Sequence, residues 1–105
     1  MLTLPIKKKW FDMILNGEKK EEYREIKPYY TSRFEKTLCD VNKQKRDEYT
    51  IYKTIKFRNG YSNKSLYLVA IVSIKKGIGK IEWGAELNKR YYVLKILEIK
   101  EVGGK

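Results

Sequence analysis

The chain has 105 residues, enough for one domain with one modest core. Hydrophobic residues make up 42% and charged residues 35%, and nine Tyr with two Trp exclude a disordered polyelectrolyte. Lys and Arg total 24 against 13 acidic residues, a formal +11 that points to a polyanion partner, while the absence of His excludes Ser-His or Cys-His nucleophile pairs and His-ligated metal centres.

Apolar alternation at Leu2, Leu4 and Ile6 predicts a strand, which Pro5 confines to an edge or an end. Residues 10–15 switch to helical spacing, with Trp10, Met13 and Ile14 on one face, and Gly17 suits a left-handed helix stop. A short polar strand follows over 19–26. Pro28 opens a second helix, Tyr29 to about Leu38, with Tyr30, Phe34 and Leu38 on one stripe. Residues 39–48 are polar and irregular, the segment where mobility or an insertion is expected. Residues 52–58 alternate again, with Ile55 and Phe57 inward, before the turn signal Asn59-Gly60. Residues 66–74 are apolar on both faces, predicting a central strand covered on both sides and broken by Gly77-Ile78-Gly79. The last strand, 91–99, is read with Val93, Leu97 and Ile99 on one face and Leu94 and Ile96 on the other; residues 103–105 should fray.

The expected fold is one α+β domain, 1–105, of about five or six strands and two or more short helices. Closing its sheet into a small barrel would remove the exposed edges. Cys39 stands alone, so no internal disulfide forms. No apolar run is long enough for a bilayer, and none at the N-terminus has signal character. A cytoplasmic location without a membrane partner is therefore expected.

Gly77-Ile78-Gly79-Lys80 lacks the spacing of a phosphate-binding loop, since Ile74 and Ile81 stand where glycine and Ser or Thr are needed. Lys7-Lys8-Lys9 sits at a helix start, where cations oppose the dipole unless an anion binds there. The most specific segment is Gly17-Glu18-Lys19-Lys20-Glu21-Glu22-Tyr23-Arg24. On a strand Glu22 and Arg24 share a side at roughly 6.5–7 Å, a spacing that favours a shared ligand over direct contact. Lys20 shares their parity. Lys19 joins them only if the strand begins after it or a bulge intervenes.

Gly17-x-Lys19-x-x-Glu22-x-Arg24 resembles the G-x-K-x-x-E-x-R signature of the ASCH domain family, within the PUA-like superfamily. Residues 10–17 resemble its first helix, and Phe57-Arg58-Asn59-Gly60-Tyr61 and Glu82-Trp83-Gly84-Ala85 resemble later segments of bacterial and phage members. The resemblance implies a small PUA-like β-barrel with a cleft beside the signature strand, suited to RNA, a nucleotide or a modified nucleoside. Some members are amidohydrolases on N4-acetylcytidine, and ribonuclease activity has been proposed for others. In the amidohydrolases the motif lysine, here Lys19, is catalytic. They carry a threonine at the position of Glu22, and Glu82 and Glu86 are candidates for their late catalytic glutamate.

The leading expectation is RNA or nucleotide binding. Lys7, Lys19, Arg24 and Arg58 would meet phosphates, Tyr29, Tyr61 and Trp83 would stack on bases, and Glu22 would accept from a base amino group or orient Arg24. Asn59 and Glu82 complete the candidate binding set. Core packing is expected for Trp10, Phe34, Phe57 and Tyr67. The alternative is a hydrolase with Glu22 as general base and Lys19 or Arg24 stabilising the oxyanion. Nothing in the sequence fixes a metal site, although Glu21, Glu22 or Glu82 would suit magnesium or manganese. No cofactor is expected, and a protein partner is left open.

Overall fold

The computed structural model describes residues 1–39, 50–60 and 66–104. The irregular segment expected at 39–48 falls almost wholly outside these residues, as does Tyr61. In chain order the elements are β1 (Leu2–Ile6), α1 (Lys8–Leu15), β2 (Glu21–Arg24), α2 (Pro28–Cys39), β3 (Ile51–Asn59), β4 (Tyr67–Ile78), a 3-10 turn (Ile81–Trp83) and β5 (Arg90–Gly103). The fold is α+β: five strands form one mixed sheet in the order β1-β3-β4-β5-β2. β1 runs parallel to β3, and every other pairing is antiparallel. β1 and β2 end the sheet and are not paired with each other, so no backbone ladder closes it. No helix among the described residues is long and apolar enough to cross a membrane.

Strand alternation builds the core. Leu4 and Ile6, Ile55 and Phe57, then Leu68, Ala70, Val72 and Ile74 all point to one face, where Phe11 and Ile14 of α1 and Phe34 of α2 cover them. Phe34 meets Tyr92 edge-on at 5.0 Å between centroids, and Thr31 and Tyr92 hydroxyls share a hydrogen bond of 2.8 Å. On the other face of the middle strand β4 only Val69 is buried, and Ile71 and Ser73 are half-buried, so the expected cover on both sides is corrected to cover on one: both described helices pack on the core face.

Two further expectations are corrected here. β4 does not break at Gly77: Gly77 pairs with Tyr91 and Ile78 with Arg90, because a full-length neighbouring strand satisfies their backbone groups. β5 does not keep one parity to its end. Its register against β4 shifts twice, with Ala70 opposite Ile99 and Val72 opposite Ile96, so Leu97 is squeezed out of the pairing. The bulge brings Ile96 and Ile99 onto the same core face, while Leu97 is 47% exposed. Residues 81–83 form a 3-10 turn, which leaves the strand count at five.

Candidate functional site

The signature residues converge at the open end of the sheet. α1 stops at Leu15, and Gly17, two residues on, has a φ of +86°, the left-handed conformation that glycine adopts without strain. The chain then turns back, and the Lys19 N–H donates to the Met13 carbonyl at 3.0 Å. β2 begins at Glu21, after Lys19, so the lysine is free of strand parity and joins Glu22. Lys20 is exposed.

Lys19 is 2% exposed and Glu22 6% exposed. Lys19 Nζ donates to the Trp83 carbonyl at 2.6 Å and pairs with Glu22 Oε1 at 3.1 Å. It also stands 4.3 Å from the Trp10 ring centroid, so carbonyl, carboxylate and indole face all engage the ammonium. Burial lowers the Lys19 pKa, with Glu22 acting in the opposite direction. The other carboxylate oxygen, Glu22 Oε2, accepts from Arg24 Nη2 at 3.0 Å. The expectation of a shared ligand without direct contact is thereby corrected: the guanidinium folds back along the strand and spans the interval itself.

Arg24 also bridges the two ends of the sheet. Its Nη2 donates to the Pro5 carbonyl of β1 at 2.9 Å, and its Nη1 donates to the Tyr30 hydroxyl of α2 at 3.3 Å. Arg24 Nε is buried without a hydrogen-bond partner. Between the bridged edges lies a cleft of about 370 Å³. Glu22, Tyr23 and Arg24 form one wall, Pro5, Ile6 and Gly60 the other, and Lys7 and Trp10 complete the lining. The Gly60 N–H donates to the Ile6 carbonyl at 2.8 Å, tying the turn after β3 to β1.

Of the expected site residues, Lys7, Glu22 and Arg24 line this cleft, and Lys19 supports it from behind. Arg58 and Asn59 sit beside it: Arg58 Nε donates to the Gly60 carbonyl at 3.2 Å, and the Asn59 N–H donates to the Leu66 carbonyl. Trp83 contributes its carbonyl, while its half-buried ring lies 4.7 Å from Lys80 Nζ. Glu82 and Glu86 are exposed. Tyr29 is exposed and away from the cleft, with the Arg33 guanidinium 3.5 Å from its ring centroid. Among the described residues, no group of three or more His, Cys, Asp or Glu side chains is placed to hold a metal ion.

Trp10 and Tyr67 depart from the expected core. Trp10 is half-buried because it stands at the start of α1 beside the lysine triplet, where Lys9 and Lys19 lie over its ring. Tyr67 lies under the Lys56 ammonium and donates to Glu101 at 2.8 Å on the outer sheet face. Phe34 and Phe57 are buried as expected. The contribution of Tyr23 is new. It alternates with Glu22 and Arg24, yet an unpaired edge strand leaves room for its ring to border the cleft. Its hydroxyl donates to Glu21 at 2.7 Å and accepts from the Lys80 N–H at 2.9 Å, and burial pushes its pKa up.

No family model matches the chain, and neither a curated protein nor a solved structure does.

Proposed function

We propose that the chain is a PUA-like domain of the ASCH type that binds RNA or a nucleotide through the cleft between β1 and β2. On this reading the open side of the sheet is bridged by side chains, Arg24 above all, where the backbone ladder stops. One observation carries the binding reading: a cleft of about 370 Å³ combines an indole, a phenol ring, a carboxylate and a guanidinium at one opening. That volume is at the small end of ligand sites, the scale of a single base or nucleoside and not of a duplex. Trp10 and Tyr23 offer aromatic walls for contact with a base, Arg24 a donor to ring nitrogen or carbonyl, and Glu22 an acceptor for an exocyclic amino group. Lys7 at the rim meets an adjoining phosphate.

A second reading has its own support. Buried Lys19, with its lowered pKa beside Glu22, suits a hydrolase in which Glu22 activates water and Lys19 or Arg24 stabilises the oxyanion. One experiment separates the two. The protein is incubated with a pool of modified nucleosides and short RNAs while mass spectrometry follows products. Lys19→Ala and Glu22→Gln, verified as folded, serve as controls. Salt-sensitive RNA retention without turnover supports the binding module. Turnover lost in both variants makes the protein a hydrolase.

A further inference from the structure

A second depression lies across β2 from the cleft. It measures about 290 Å³ and is lined by Lys75, Lys76 and Lys95 together with Ser73 and Glu21. Strand register explains the grouping. Tyr52 stands opposite Ser73, Ser73 opposite Lys95, and Lys95 opposite Glu21, so one row crosses β3, β4, β5 and β2 on the outer face. Lys75 follows Ser73 by two residues and shares its side. Among the described residues, neither Lys75 nor Lys95 is held by a carboxylate in an ion pair. The row ends in Tyr52, 67% exposed, a large aromatic ring open to solvent.

The groove and the cleft lie on either side of β2. Tyr23 borders the cleft, and its hydroxyl donates to Glu21 in the groove, so the two openings share β2 as a common wall. Cations and an exposed ring in a row match the repeat of a single strand, phosphate then base. An acidic peptide would use the lysines but has no need of Tyr52.

We propose that the outer face of β3-β4-β5 carries the neighbouring nucleotides of a single-stranded RNA whose base occupies the cleft. Lys75 and Lys95 meet its phosphates and Tyr52 stacks on a flanking base. The inference rests on the base-binding reading and names its ligand as an oligonucleotide in preference to a free nucleoside.

The test compares the four ribonucleosides with a mixed-sequence hexaribonucleotide, each titrated at several salt concentrations. The proteins are the full chain, Lys75→Gln/Lys95→Gln, and Lys56→Gln/Lys100→Gln as an equal charge loss at the far end of the sheet. The hexamer is expected to bind at least tenfold more tightly than any nucleoside. Its salt slope should shrink by about 1.4 in the first double variant, roughly 0.7 per lost phosphate contact, and stay unchanged in the second. Nucleoside binding should not change. A hexamer no tighter than the nucleosides, an unchanged slope, or equal competition by polyglutamate overturns the inference while leaving base binding intact. Loss of nucleoside binding alone, with the slope still dependent on Lys75 and Lys95, refutes the base pocket and keeps the groove. Absence of binding by both ligands refutes both.

Discussion

Lys19 donates its buried ammonium to the Trp83 carbonyl at 2.6 Å, joining residues 64 positions apart. The contact ties the segment before β2 to the 3-10 turn before β5. Because the same ammonium pairs with Glu22, the position of the cleft carboxylate depends on a turn at the far end of the chain.

Replacing Lys19 with Met should therefore be costly. It leaves the Trp83 carbonyl without this donor and Glu22, among the described residues, with Arg24 as its remaining ion-pair partner. Removing one partner of a buried pair costs about 3–5 kcal/mol. Urea unfolding of Lys19→Met measures it, and a loss below about 1 kcal/mol contradicts the clamp.

Arg24→Lys keeps the charge but loses the planar fork that reaches Glu22, Pro5 and Tyr30 together. Expected outcomes are a stability loss of about 1.5–3 kcal/mol and weakened nucleoside binding. Amide exchange at Gly60, whose N–H donates to Ile6, should accelerate as β1 loosens. Unchanged exchange and binding would show that the bridge between the sheet edges is inert.

Alkaline pH separates Tyr23 from Lys19. Burial raises the Tyr23 pKa from its ordinary value near 10, so the folded chain holds that proton more tightly than the unfolded one. Its contribution to stability is full below pH 10 and is lost as pH rises beyond it. Tyr23→Phe should flatten that decline. The sign for Lys19 is opposite: its lowered pKa makes the unfolded chain the better proton binder up to about pH 10.5. Its contribution rises with pH between the lowered value and 10.5, and Lys19→Met should remove the rise. Parallel curves for wild type and variants contradict both assignments.

Two glycines should respond for different reasons. At Gly17 a Cβ meets nothing within 4 Å, so Gly17→Ala costs about 1–2 kcal/mol through the positive φ alone, and Gly17→Asn less. At Gly79 a Cβ would fall 2.7 Å from Ala85 and 2.8 Å from the Tyr23 ring. Gly79→Ala must push that ring, so it should reduce ligand binding as well as melting temperature. Equal binding losses at the two positions would contradict the distinction.

Local chemistry made β1, both helices and the Lys19-Glu22-Arg24 segment legible, because alternation, helical spacing and glycine stops act within a few residues. The course of β4 through Gly77 was not legible, since pairing with β5 overrides a local glycine signal. Nor was the bulge at Leu97, which reverses side-chain parity without any sequence mark. Within the site, Glu22 and Arg24 could be read from strand parity. The Pro5 and Trp83 carbonyls could not, because main-chain acceptors carry no residue identity. Helical spacing alone places Trp10 in the core, whereas in the fold its ring sits at the boundary of the helix's apolar face, under Lys9 and Lys19.

Base binding in the β1–β2 cleft is tested most directly by NMR titration with the four ribonucleosides. Saturable shifts at the Trp10 indole, the Arg24 side chain and the Gly60 amide, lost in Arg24→Lys, are the predicted result. Shifts confined to residues outside the cleft, or none with any ribonucleoside at millimolar concentration, would contradict it.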